Sequence, residues 1–200
     1  MNLSFSTRGW GDLSWEELLD AAIDMKFTGI EVYNLFKFPH MTDKGGPFHK
    51  HKIAATIRQL RDLKLTIPCL DTSMDISENA GNGDVIAEMM HYARDARVPY
   101  VVGWASTANE EMIHGNLEKL LPLAEELGVC LLIKTSGIYA DTALLRSLLE
   151  SYASDYMGAL WVCTIPTGIL MRVPIPPSRT WVPTSSMSIC GTRMTSIPII

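Results

Sequence analysis

Cysteine is scarce in the 200-residue sequence, with four in all, and no two of them form a CxxC pair or share a ligand-like spacing with histidine. That pattern argues against a zinc ribbon or a disulfide framework, and Cys69, Cys130, Cys163 and Cys190 are expected to be buried free thiols. Basic charge is also in short supply: 17 Lys and Arg against 22 Asp and Glu give a formal net charge of −5. Nucleic acid is therefore not an expected partner. No apolar run reaches the length of a membrane span, and the opening MNLSFSTRGWGD has no basic region followed by an apolar core, so a cytoplasmic protein with no membrane partner is expected. Neither a GxGxxG nor a Walker loop follows the first apolar segment, which removes weight from nucleotide-binding sheets.

What is present is an ordinary globular composition, 47% hydrophobic and 20% charged, on a chain long enough for one sizeable core. Its most informative stretch is Val129–Gly137, VCLLIKTSG, which is apolar at consecutive positions, too short for a helix, and ends in Lys134-Thr135-Ser136-Gly137. Such a run suits a parallel strand buried on both faces. Polar residues at its carboxyl end then fall at the mouth of a sheet or barrel, where α/β proteins place ligand chemistry.

The rest of the chain repeats that unit. Leu3–Ser6 reads as a first short strand, leading to Thr7, Arg8 and Trp10 in a loop. Ser14 and Glu17 fit a capping box, and Leu18, Leu19, Ala22, Ile23 and Met25 form the expected buried stripe of the helix that follows. Gly29–Asn34 is a second strand with Glu31 and Asn34 near its carboxyl end. A long polar loop comes next, with His40, His49 and His51 in or beside it, spaced as solvated rather than metal-bound residues. A helix over Ile53–Leu63 precedes a third strand, Thr66–Leu70, which runs into Asp71-Thr72-Ser73 and a loop with Asp75 and Glu78. Helices over Val85–Ala96, Asn109–Leu127 and Asp141–Tyr152 then alternate with strands Tyr100–Trp104, Val129–Gly137 and Gly158–Trp161, Gly128 closing the second of these helices. Regular strand–helix alternation implies a parallel sheet, either a barrel or doubly wound.

The pattern stops at Trp161. Val162–Ile200 has no Asp, Glu, Lys or His, but prolines at 166, 174, 176, 177, 183 and 198, so no helix or strand is expected there. If one base is taken as lost after the Trp161 codon, permitted codons let the restored frame read Trp-Asp-Leu-His-His-Pro-Tyr-Arg-Asp, and further on Ala-Tyr-Val-Lys-Tyr-Val-His-Leu-Trp-Asp. The expectation is a portion over residues 1–161 followed by an out-of-frame, irregular tail over 162–200, a natural Pro/Thr/Ser-rich extension being the alternative.

The opening SFSTRGWGDLSWEELLDAAIDMKFTGIEVYN, the strand ending CLDTS, the stretch LLIKTSGIYADT and the strand GALW resemble, over Leu3–Trp161, the sugar phosphate isomerase/epimerase family with its xylose-isomerase-like TIM barrel. The resemblance implies an α/β fold, a (β/α)8 barrel here incomplete at about six βα units with an irregular C-terminal tail. It also implies a small-molecule sugar substrate and metal-assisted proton transfer between adjacent carbons. The metal is a divalent ion, Mn or Mg, held by two Glu, one Asp and one His at the ends of strands five to eight. In this sequence the strand-five Glu position matches Lys134, the strand-six Asp position matches Val162, and the other two have no counterpart, so no metal ligand is assigned.

The remaining candidates are Lys134, Glu31 and Asp71 for catalysis, and Arg8, Asn34, Trp104 and Ser136 for substrate binding. Each has a structural alternative: Lys134 as the ion-pair partner of Glu31 or Asp71, and Trp104 as core filling. Two further functional expectations stand beside the isomerase, a Schiff-base aldolase or lyase using Lys134 and a non-catalytic, truncated product. A barrel short of two strands exposes parallel edges, through which homo-oligomers are expected to form.

Overall fold

The structure, a computed structural model, describes residues 2–164 and 170–175. Six parallel strands, β1 (Ser4–Ser6), β2 (Gly29–Tyr33), β3 (Cys69–Asp75), β4 (Tyr100–Ala105), β5 (Cys130–Gly137) and β6 (Met157–Thr164), pair in chain order. Between them lie α1 (Trp15–Asp24), α2 (Pro39–Thr42), α3 (Ile53–Asp62), α4 (Ala80–Ala96), α5 (Glu110–Leu127) and α6 (Thr142–Tyr152). This is the curled, strand–helix alternation of an incomplete TIM barrel.

Local chemistry accounts for the element ends. The capping box at α1 is formed: the Ser14 amide donates to Glu17 Oε2 at 2.7 Å, and the Glu17 amide donates to Ser14 Oγ at 3.3 Å. The Ser14 amide, and the Ser14 hydroxyl donating to the same Oε2 at 2.8 Å, hold the Glu17 carboxyl below the usual carboxylate range. Trp15, Leu18, Leu19 and Ala22 bury the helix at i, i+3, i+4 and i+7. Ile23 and Met25, expected in that stripe, are instead exposed at 45% and 44%, because Ile23 stands beside the stripe and Met25 is already past the last turn. Gly128 ends α5 in the left-handed conformation (φ 65°), as its sequence position suggests.

Three further expectations change. The third strand was expected at Thr66–Leu70; Thr66 makes only an isolated bridge to Gly29, and β3 proper begins at Cys69, after Pro68, which has no amide to donate. From there the strand runs on through the polar residues Asp71–Asp75, with a register shift against β4 between Asp71 and Asp75. Helix α4, expected from Val85, starts at Ala80, capped by the Asn79 side chain, so Gly81-Asn82-Gly83 is helical. Gly83 is needed there, because a Cβ would overlap Asn116 Oδ1 on α5.

The third correction concerns the segment after Trp161. Val162–Thr164 continue β6, and β7 (Leu170–Ile175) pairs antiparallel with it from Thr164↔Leu170 to Ala159↔Ile175. An outermost strand tolerates Pro174, and the apolar residues Leu170, Met171, Val173 and Ile175 suit a strand, so proline did not exclude one. The edge of β6, expected to lie open for another copy, is thus occupied. The expectations for residues 165–169 and 176–200, and for the side chains of Cys163 and Cys190, lie outside the described residues.

The parallel strands bury both faces. One face packs Ile30, Val32, Leu70, Val101, Leu131 and Ile133 against the helices. The other carries a smaller cluster of Cys69, Val102, Cys130, Leu132 and Leu160, with Tyr100 packed on it. The alternation along each strand makes this second cluster the lining of the concave side. Burial pushes the Cys130 thiol up to about 12, as suits an inert core thiol. No helix among the described residues is long and apolar enough to cross a membrane.

Candidate functional site

Asp71 and Lys134 follow the apolar lining in the same alternation: Asp71 lies two residues beyond Cys69 on β3, and Lys134 two beyond Leu132 on β5. Both are buried, and the Lys134 ammonium lies 2.8 Å from Asp71 Oδ1 and 2.7 Å from Oδ2, bridging across β4. In so dry a setting the pair is held by its own geometry, since either charge alone would be costly to bury. Asp71 Oδ1 also accepts the Ser73 amide at 3.0 Å. Glu31 lies deeper and fully buried, with the Cys69 thiol donating to its Oε2 at 3.7 Å.

Around this pair the carboxyl ends of β1 to β4 are tied together. The Glu31 carbonyl accepts the Thr7 amide at 2.9 Å, and Thr7 Oγ1 accepts the Tyr33 amide at 2.9 Å. The Asn34 amide donates to the Asp71 carbonyl at 2.6 Å, with Asn34 itself at φ 45°. Tyr33 Oη and Ser73 Oγ are hydrogen-bonded at 2.8 Å, and the Arg8 guanidinium lies over the Tyr33 ring, 5.1 Å from its centre. Trp104 Nε1–H donates to the Ser73 carbonyl at 3.4 Å. Ser73 has φ 60°, and this left-handed residue coincides with the register shift in β3. Non-glycine residues in that region carry strain that surrounding contacts must sustain, and such residues cluster at functional sites.

A second network joins the loops after β3 and β4. Asp75 Oδ1 accepts the Ser77 amide at 2.8 Å and Ser77 Oγ at 2.6 Å, and Asp75 Oδ2 accepts the Ser106 amide at 3.2 Å. Burial by itself would raise the Asp75 carboxyl; the bonds from Ser106 and Ser77 outweigh it and hold the group below its ordinary value.

Five of the seven sequence-predicted residues therefore meet directly or through one intermediary: Arg8 through Tyr33, and Asn34, Asp71, Trp104 and Lys134 around Ser73 and the β3 backbone. Glu31 lies below them with Cys69, and Ser136 follows Lys134 on the carboxyl end of β5, half-buried. Sequence reasoning missed Tyr33 and Ser73, whose signal was their place at the ends of strands already chosen. It also missed the role of Asp75, for which Asp75-Ile76-Ser77 after a strand was a readable side-chain turn motif. The histidines stand apart from this site: His40 and His51 are exposed, and the His49 and His51 rings lie 5.2 Å apart in their own loop.

The described residues do not fit a divalent ion. At the position the family gives to a strand-five carboxylate, an ammonium sits and already occupies both oxygens of Asp71. Among the described residues no three His, Cys, Asp or Glu side chains converge as a ligand set.

No family model matches the sequence, and no curated protein does. Solved structures do match. The probable 3-DHS dehydratase AsbF of Bacillus anthracis aligns with a TM-score of 0.62 at 13% identity, over 80% of this chain and 62% of that one. A xylose isomerase domain protein of Planctomyces limnophilus aligns with a TM-score of 0.58 at 14% identity, over 80% and 62%. The fold is that of the xylose isomerase-like TIM barrels. A D-tagatose 3-epimerase-like protein shares it at a TM-score of 0.60 and 11% identity, over 80% of this chain and 64% of that one. So does the IolI protein, whose structure holds a zinc atom, at 0.59 and 15%, over 80% and 62%. The chain thus spans less than two thirds of the length of these xylose isomerase-like structures.

Proposed function

We propose that this chain is the substrate-facing part of a sugar isomerase or epimerase that moves a proton between adjacent carbons of a small carbonyl sugar. The reading rests on one observation, the buried Asp71–Lys134 pair at the carboxyl ends of β3 and β5, in the place where barrels of this fold carry their chemistry. The Lys134 ammonium donates to the carbonyl oxygen of the sugar and stabilises negative charge as it develops there. The Asp71 carboxylate, freed by that shift, accepts the proton from the neighbouring carbon and returns it to the former carbonyl carbon. Meanwhile Lys134 gives a proton to the carbonyl oxygen and takes back the hydroxyl proton of the neighbouring carbon, which becomes the new carbonyl. Arg8, Asn34, Trp104 and Ser136 stand around this pair as binding groups. A divalent metal belongs to the resemblance, but no step is routed through one, because the described residues do not fit it.

The reaction leaves a label. In deuterated water, incubation with a panel of free ketoses and aldoses is expected to exchange deuterium into the carbon next to the carbonyl, seen by proton NMR, and Lys134→Met and Asp71→Asn are expected to slow it at least about 100-fold. A panel without exchange would overturn the reading. The Schiff-base alternative needs Lys134 as a neutral amine with a lone pair for the carbonyl carbon, whereas the ion pair with Asp71 holds it as an ammonium, which can only donate. Borohydride reduction in the presence of a ketose or keto acid is accordingly expected to leave no mass adduct on Lys134; a stoichiometric adduct would reinstate the lyase.

A further inference from the structure

Beside the Asp71–Lys134 pair, and sharing Ser73 and Trp104 with it, an open cleft of about 630 Å³ runs between the loops after β3 and β4. That is within the roughly 300–1,000 Å³ of sites that enclose small-molecule ligands. Three properties define what it would take. First, Trp104 lines it, half-buried, with the ring orientation fixed by the bond from Nε1–H to the Ser73 carbonyl. An indole held this way offers a rigid apolar surface at little entropic cost to whatever lies on it. Second, apart from Met74 the rest of the uncharged lining is hydroxyl and amide: Ser73, Ser106, Thr107 and Asn109 among others. Third, the charged groups that line it are the carboxylates of Asp75 and Glu78, with no lysine, arginine or histidine among the described lining residues. Asp75 is buried and held by Ser77 and Ser106, and Glu78 is on the exposed rim, where its Oε2 accepts from Asn82 Nδ2 at 3.1 Å.

A phosphate placed here would meet two carboxylates and no cation, whereas recognition of phosphate relies on arginine, lysine or converging backbone amides. The backbone amides of Ser106 and Thr107 are already taken, by Asp75 and by Ser77 Oγ, the latter at 3.1 Å. An uncharged ring with one apolar face and hydroxyls around its edge matches all three properties. The geometry points to a subsite for a neutral second sugar ring, so that the substrate is a ketose- or aldose-ended disaccharide or glycoside rather than a phosphorylated monosaccharide. This deepens the proposed function and rests on it for the reacting end only.

The test is binding of lactulose, fructose and fructose 6-phosphate to the full chain, followed by NMR saturation transfer and titration. Lactulose is expected to bind about tenfold more tightly than fructose, and Trp104→Ala to abolish that advantage, a loss of the size that aromatic contacts supply. Fructose 6-phosphate is expected to bind more weakly than fructose, and Glu78→Lys, on the exposed rim, to narrow that gap without touching the core. Equal binding of lactulose and fructose, tighter binding of the phosphate ester, or an advantage that survives Trp104→Ala would each overturn the subsite. Trp104-dependent lactulose binding without any deuterium exchange would support the subsite and sink the proton-transfer reading; exchange without that binding would do the reverse.

Discussion

Asp71→Ala is expected to lower the unfolding free energy by about 3–5 kcal/mol, the usual consequence of stranding one partner of a buried ion pair. The Lys134 side chain is 10% exposed and that of Asp71 not exposed at all, so water cannot take the place of the missing carboxylate. The Ser73 amide loses its acceptor in the same substitution, at a residue already in the left-handed region. Lys134→Met should be milder, because Asp71 keeps the Ser73 amide. The double replacement Asp71→Leu with Lys134→Met is expected to recover most of the loss, since a buried pair exchanged for apolar groups of similar volume is often neutral or better. Urea unfolding of the four proteins measures this. A loss below about 1 kcal/mol in Asp71→Ala, the range of an exposed pair, would show that the pair is solvated and would remove the water-excluding site.

Gly137→Ala is expected to destabilise by about 3 kcal/mol or more, through a different mechanism. Gly137 closes β5 at φ 62° and ψ −132°, a conformation open in practice only to glycine, and a Cβ there would overlap the carbonyl oxygen of Ala105 on β4. Neither the backbone nor its neighbour can yield cheaply, because Gly137 and Ala105 are themselves paired in the sheet. Gly128→Ala serves as the comparison. Gly128 also has positive φ, 65°, but nothing lies within 4 Å of the added methyl, so only the left-handed penalty of roughly 1 kcal/mol applies. Equal losses in the two variants would mean that β5 can shift away from Ala105 and that the mouth of the site is softer than described. A larger loss in Gly137→Ala is expected to come with displaced resonances for Lys134 and Ser136, three and one residues away.

How far these features could be read from sequence follows from how local their causes are. The Ser14–Glu17 cap, the left-handed Gly128 and the apolar run of β5 are decided by neighbours within a few residues, and each is where the sequence places it. The partner of Lys134 was narrowed to two carboxylates, Glu31 or Asp71, but not chosen, since the choice depends on β3 and β5 flanking β4 in register. The start of β3 was misplaced because Pro68 interrupts the ladder between the bridge at Thr66 and the strand proper at Cys69, a distinction that hydropathy does not carry. Asp71-Thr72-Ser73 was read as the end of the strand and Asp75 as loop; the strand continues to Asp75 because β4 pairs with it again there, Asp75 opposite Trp104, beyond the register shift. The strand at Leu170–Ile175 was missed because prolines were weighted as breakers, whereas an outermost strand presents an edge that does not need every amide.

Strands of the described sheet are hydrogen-bonded only to the strands next to them in the chain. The architecture is therefore assembled from contacts of short sequence separation, which lowers the loop-closure entropy of each added strand and favours rapid folding for a parallel sheet. It also makes cooperativity one-dimensional, as in repeat proteins, so that opening begins at the ends and travels inward one strand at a time. On that scale the three-residue β1 should be the first parallel strand to exchange its amides, and β4, embraced on both sides, among the last. The Asp71–Lys134 pair straddles that most protected strand, so the site would persist through partial unfolding that has already released the ends of the sheet.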